Sequence, residues 1–513
     1  MTDGRVKALF SRKITMFGLA AVLAALVASN FSGTAFAYAP DDPAVKYHCF
    51  ADDDADGILD TVTDEETGEV SLVPCPIDSG DNAWMLTSSA LVLMMTPAGL
   101  AMFYGGLARQ KNAVNTIHMV FITTGVIAIQ FTLWGYSLAF GPDAGGYGFI
   151  GTLDWAGLNN VLHDVPSAAY GGINGLTIPH MTWMVFQMMF AIITPALIVA
   201  SVAERMKFSA FLIFIVIWAT FVYDFAAHWT WQITGADNYG MTPGYCNFGG
   251  PGGAAGFGGC VGALDFAGGT VIHITSGWSG LVIALMLGRR LGYGKVPMEP
   301  HNVSLVVLGA ALLWVGWFGF NAGSAAAAAT NATSAFVATQ IATGMAAVTW
   351  ALISWGHTGR ASTVGAASGA VAGLVAITPA AGFVSPMSSI IIGILASIVC
   401  YAAVAFKNKR KWDDALDTWG VHGVGGLAGA LLTGIFAEKR FTPWGDDGLA
   451  FGNPQQFIDN AAGAFAALAW ALGITAIIIK IMDAVWPGGI RVTPKEEEVG
   501  LDLAQHGERA YVM

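Results

Sequence analysis

Charge is what this sequence has least of. Of its 513 residues only 11% are Asp, Glu, Lys or Arg, against 55% hydrophobic. Long apolar runs recur throughout, so the chain is not a soluble globular protein and reads as a polytopic helical membrane protein. Lys and Arg number 23, and nothing in their placement suggests nucleic acid. The acidic balance is local: Tyr38 to Asp81 holds thirteen acids against Lys46 alone, which leaves the remainder close to neutral. Cysteine is scarce too. Cys49, Cys75, Cys246 and Cys260 fall in two polar segments expected outside the membrane, and Cys400 falls in a span. Neither polar segment has C-x-x-C spacing, which argues against zinc. Disulfides Cys49–Cys75 and Cys246–Cys260 are the natural pairing outside the membrane, although four cysteines allow three connectivities. Glycine, by contrast, is abundant at 65 residues, as expected where helices pack closely.

The chain divides into four parts. Residues 1–37 carry Arg5, Lys7, Arg12 and Lys13, an apolar run and Ala35-Phe36-Ala37, the pattern of a secretory signal peptide; a retained first span is the other reading. Residues 38–81 form an acidic extracytoplasmic extension. Within it Asp52, Asp54, Asp56, Gly57 and Asp60 match the opening of a calcium loop, oxygens for a hard cation and glycine for the sharp turn. Position twelve is Thr63 and not the usual glutamate, so a solvated acidic arm explains the segment equally well. Residues 82–486 contain eleven spans, at about 84–107, 115–140, 181–203, 208–230, 266–288, 302–320, 328–355, 364–381, 387–405, 415–436 and 460–486. Residues 487–513 form a tail. Arg109 and Lys111, Arg205 and Lys207, Arg289, Arg290 and Lys295, Arg360, and Lys407 to Lys411 fall in every second loop, with Lys439 and Arg440 the exception. The positive-inside rule then places the mature amino end outside the cytoplasmic membrane and the tail inside.

Two stretches share one frame. In D-F-A-G-G-T-V-I-H, His273 follows Asp265 by eight residues, and in D-A-L-D-T-W-G-V-H, His422 follows Asp414 by eight. Glycines follow each histidine at +4 (Gly277, Gly426) and +7 (Gly280, Gly429). Phe103-Tyr104-Gly105-Gly106 ends the first span and Phe320-Asn321-Ala322-Gly323 the sixth; Ile193-Thr194-Pro195-Ala196 lies in the third and Ile377-Thr378-Pro379-Ala380 in the eighth. Every pair is offset by five spans. An odd offset predicts a five-plus-five inverted repeat with the eleventh helix outside it, and it brings both histidines to the midplane near the pseudo-twofold axis. Ionisable groups there are costly and mark a site. Imidazoles can share or accept a proton, or bind metal, but the frame supplies no third ligand. Asp265 and Asp414 stand where their helices begin, as N-caps, and Asp265 is placed to support a cation as well.

These frames, with W-F-G-F-N-A-G-S (Trp317 to Ser324) and G-L-D-L-A-Q-H-G-E-R-A-Y (Gly500 to Tyr511), resemble the ammonium transporter family, related to the Rh proteins. The resemblance covers roughly residues 82–513. It implies a homotrimer with one narrow pore per subunit, no enzymatic activity and no required cofactor. It further implies an external ammonium recruitment site at Phe190, Trp231 and Ser324, a stacked phenyl gate at Phe190 and Phe320 with Phe186 one turn away, and paired pore histidines His273 and His422. A soluble nitrogen-status regulator of the PII type is the partner implied for the tail. Trp419 stands where the family commonly has phenylalanine, and the acidic extension and the glycine-rich 232–264 loop are additions to the compact bacterial pattern. An electroneutral ammonia channel of the Rh type, and an ammonium sensor or scaffold, are the competing functions; no kinase or other cytosolic domain is expected after the tail.

Overall fold

A computed structural model describes residues 61–63, 70–72, 77–145, 148–164, 177–231, 262–441 and 445–511. The signal segment, the Asp52–Asp60 segment and the cysteines of both expected disulfides lie outside these residues. Inside the acidic extension Thr61–Thr63 (β1) pairs antiparallel with Val70–Leu72 (β2), Thr61 opposite Leu72.

The body is all helix. Among the described residues ten helices are long and apolar enough to cross a membrane: α1 Ser79–Leu107, α2 Gln110–Phe140, α3 His180–Val202, α4 Phe208–Trp231, α5 Gly269–Leu287, α6 Val303–Gly323, α7 Thr330–Thr358, α9 Pro386–Arg410, α10 Trp419–Phe436 and α11 Pro454–Val485. The eleventh expected span is the shorter α8, Thr363–Ile377, which ends just before Pro379 because proline has no N–H to continue the ladder. Pro195, its partner in the repeat, is instead tolerated inside α3. Starts follow from local chemistry. The side chains of Asn302, Ser362 and Ser385 accept the N–H groups of Leu305, Gly365 and Ser388 at the heads of α6, α8 and α9.

Glycine sets the central crossing. A Cβ on Gly277 of α5 would lie 2.0 Å from the Gly423 nitrogen of α10, and one on Gly426 of α10 would lie 2.7 Å from the His273 Cβ of α5. Each +4 glycine therefore admits the segment of the other helix that carries the histidine, the reciprocity that a twofold axis between them demands. Both helices open with a turn of π-helix, Gly269–Ile274 and Trp419–Gly423, each containing its histidine.

At one end of the bundle the bases of three alternate loops gather. Arg109 bonds Glu204 through its backbone N–H and guanidinium, and Arg290 reaches the same carboxylate at 3.4 Å. Arg290 forks onto Asp413 at 3.0 and 2.7 Å, and Arg205 donates to the carbonyls of Ser201 and Asp413. The tail closes over this end. Its short helix α12, Pro494–Val499, starts with a capping box of Thr493 and Glu496; the Asp502 carboxylate then accepts the Asn115 N–H of α2 at 2.8 Å.

Candidate functional site

His273 and His422 are buried and face each other, Nδ1 to Nδ1 at 3.2 Å. One hydrogen can lie between those two nitrogens, so one ring donates and the other accepts, and the tautomer of each ring fixes that of its neighbour. The outer nitrogens then differ: one carries hydrogen and one is bare. His273 Nε2 is buried with no partner in the chain. Buried polar groups ordinarily find a partner within the protein, so this free nitrogen sets the pair apart from a hydrogen-bonded core group. Among the described residues no three His, Cys, Asp or Glu side chains come together in a way that could hold a metal ion.

Aromatic rings cover the pair on one side. The His273 ring stacks on Trp317 at 5.5 Å and 24°, and Phe320 follows at 6.3 Å. Phe320 meets Phe190 at 4.4 Å with a 38° tilt, closer to a wedge than a parallel stack. Phe190 in turn touches Phe186 at 4.9 Å and stands edge-on to Trp231 at 5.8 Å. Phe186, Phe190 and Phe320 are buried, whereas Trp231 and Ser324 are half-buried, so this column ends toward the surface. Ser324 follows α6 directly, and its hydroxyl donates to the Phe320 carbonyl at 2.8 Å. On the other side His422 lines a cavity of about 250 Å³ with Tyr104, Leu107, Leu416, Asp417 and Val421 among its walls.

The two acids do more than cap. Asp265 accepts four backbone N–H groups, from Gly268, Gly269, Thr270 and Val271, at 2.6–3.2 Å. Its carboxylate is thereby spent on the first turn of α5, and burial, opposed by those four bonds, pushes its pKa up to about 6. Its carbonyl accepts the Trp231 indole N–H at 3.1 Å, which ties the surface aromatic to the frame. Asp414 accepts the Trp419 N–H at 2.8 Å and the Ser201 hydroxyl at 2.7 Å. Three residues after each acid the backbone turns left-handed, at Gly268 (φ 108°) and at Asp417 (φ 66°), so the repeat persists in the main chain.

Sequence reasoning missed four residues of this neighbourhood. Trp317 lies one turn before Phe320, a spacing that puts both on one face of α6. Tyr104 and Asp417 wall the cavity, and Lys407 pairs with Asp417. Away from the column, Asp224 is an acid buried in α4, held by the Gln130 amide at 2.9 Å; its place inside an apolar span was the signal.

Among the described residues eleven closely packed helices in two inverted halves, with a buried imidazole pair under an aromatic column, define a polytopic membrane protein. The profile of the Ammonium Transporter Family matches residues 83–511, and the chain belongs to that family. An ammonium transporter of Aquifex aeolicus is 46% identical over 437 residues, 85% of this chain and 94% of that protein. One from Bacillus subtilis is 43% identical over 433 residues, 84% of this chain and 98% of the relative. The crystal structure of Saccharomyces cerevisiae Mep2 matches with a TM-score of 0.72 and 36% identity, covering 82% of this chain and 91% of that one. The activity is ammonium transport across a membrane, and the protein is not an enzyme.

Proposed function

We propose that ammonium is recruited at the outer face by Phe190, Trp231 and Ser324, passes the Phe190–Phe320 gate, and is split at the histidine pair into ammonia and a relayed proton. The observation that carries this is the buried Nδ1–Nδ1 contact beneath a continuous aromatic column. Trp231 and Phe190 offer π faces to a small cation and Ser324 a hydroxyl oxygen. Beyond them an intact charge meets apolar walls, where its desolvation is prohibitive. Ammonium can shed that charge: one N–H bond breaks, the proton joins an imidazole nitrogen, and ammonia moves on. The proton crosses the Nδ1–Nδ1 contact and leaves from the far ring toward the Asp417 cavity, so one positive charge is delivered for each ammonium. Potassium has no proton to give and is rejected.

Currents on solid-supported membranes test this. Wild-type protein in liposomes should give ammonium current and no potassium current; His273→Asp or His422→Glu should admit potassium. Replacement of both histidines by alanine with unchanged ammonium current and potassium exclusion would refute the relay. Ammonia flux without current would instead favour the electroneutral channel.

The surrounding assignments follow the same reading. The 1–37 segment is cleaved, the amino end is outside and the tail is cytoplasmic, three subunits assemble, and calcium binds at Asp52, Asp54, Asp56 and Asp60. Cys49–Cys75 and Cys246–Cys260 close as disulfides. The ordered tail, held by Lys111 on the Glu497 and Glu498 carbonyls at 2.8 and 2.7 Å, offers a docking segment for a PII-type regulator. Pull-down of such a regulator should fail with protein truncated after residue 499; equal capture removes the tail from the interface.

A further inference from the structure

The two halves repeat each other's frame but not its charge. On the α5 side the Asp265 carbonyl takes the indole N–H of Trp231, at the mouth where the aromatic column ends. On the α10 side the corresponding carbonyl, that of Asp414, takes the ammonium of Lys407 at 2.9 Å. The same ammonium lies 2.5 Å from a carboxylate oxygen of Asp417, the left-handed residue of that frame. Lys407 is buried, its side chain 5% exposed, whereas Asp417 is 40% exposed and lines the cavity under His422. A carbonyl and a carboxylate oxygen held together are what an ammonium re-formed from ammonia and its proton beyond the histidines would bind. Here the chain has filled them with an ammonium of its own.

We infer that Lys407 is a specificity-determining residue of the inner mouth: its tethered ammonium occupies the Asp414–Asp417 oxygen pair and keeps that mouth from retaining ammonium or potassium. The inference rests on the transport reading above. The neighbouring guanidinium groups do not compete for the role: the side chains of Arg205 and Arg290 are engaged by Asp413, Glu204 and the Ser201 carbonyl. The Asp414 carboxylate is likewise occupied, by Ser201 and the head of α10. Lys407 and Asp417 therefore set the charge of the mouth between them. Wild type sums to zero, Lys407→Met to −1, Asp417→Asn to +1, and the double variant to zero again.

The test follows that series. Half-saturating ammonium is measured from each mouth in oriented proteoliposomes, with potassium added at the Asp417 side as a competitor. Lys407→Met should lower half-saturation at that mouth by about tenfold and make potassium an inhibitor there, because a partly buried carboxylate loses its counter-ion. The opposite mouth should not change. The double variant should return to wild-type values, and Asp417→Asn alone should raise half-saturation by about threefold through uncompensated repulsion. If Lys407→Met and the double variant behave alike, Lys407 only braces the frame and the inference is wrong. If Lys407→Met does not fold, Asp417→Asn decides: unchanged half-saturation overturns the inference. Wild-type protein that passes ammonia without ammonium current would defeat the proton-relay reading itself, a result distinct from either.

Discussion

At the scale of single residues, the site turns on one hydrogen between two nitrogens. The 3.2 Å Nδ1–Nδ1 contact fixes the tautomers only while both rings keep their tilt, and His273 owes its tilt to Trp317, whose indole N–H is anchored on the Thr378 hydroxyl at 2.8 Å. Trp317→Phe should keep the ring under His273 and lose about 1 kcal/mol for the missing hydrogen bond. Trp317→Ala should lose about 3–5 kcal/mol from a truncated core aromatic and abolish ammonium current. Thermal unfolding in detergent reads the first quantity and liposome currents the second. Wild-type current in Trp317→Ala would mean that His273 is held by something else. The histidines were legible because an ionisable residue in an apolar span stands out, and two at one offset from an acid stand out twice. Trp317 was not singled out: its spacing puts it on the face of Phe320, but α6 is apolar on every side and nothing in its letters says that this ring stacks on His273.

At the scale of the element, spans were readable and their interiors were not. Length and apolarity gave all eleven helices within a few residues, with 364–381 shortened to Thr363–Ile377 by Pro379. The π-turns that open α5 and α10 left no signature, because a single π-turn inside an apolar helix changes neither its length nor its hydrophobic pattern. The glycine frame did leave one, and it can be tested. Gly277→Ala would drive a methyl to 2.0 Å from the Gly423 nitrogen, which only backbone movement can relieve. We expect a loss of about 1–3 kcal/mol from overpacking, and a fall in current as the His422 turn is displaced. Gly344→Ala is the matched control: it lies inside α7 with nothing within 4 Å of the added Cβ, and should gain about 0.5–1 kcal/mol. Opposite signs for the two, read as melting temperatures, would support contact at the crossing as the reason for the glycine. Equal effects would reduce both to helix propensity.

At the scale of the whole molecule, the repeat was legible as paired tetrapeptides, whereas its asymmetry appears only once the loops are folded. Arg109, Arg205 and Arg290 read as an alternating tally of bases; in three dimensions they converge with Glu204 and Asp413 and bind the ends of α1, α3, α5 and α10 into one knot. Sequence distance hid this, since Asp413 and Arg290 are 123 residues apart. Burial pushes the Asp413 carboxyl up, but the Arg290 hydrogen bonds and the charges of Arg205 and Arg290 outweigh it and leave it below the ordinary carboxylate range. A carboxyl depressed in the folded state stabilises fully above its unfolded value, about 3.9, and loses that contribution as the pH falls through the folded one. The knot should therefore leave stability flat from pH 8 to 5 and weaken it only in stronger acid. Asp413→Asn leaves buried Arg205 without its carboxylate partner and Arg290 with Glu204 alone, and should cost about 3–5 kcal/mol throughout the neutral range. It should also make the acid limb shallower than in wild type, because one of the groups that titrates there is gone. Melting temperatures of both proteins from pH 3 to 8 check the two statements together. A variant that melts with wild type at pH 7 would show that the four helix ends are held by apolar packing alone.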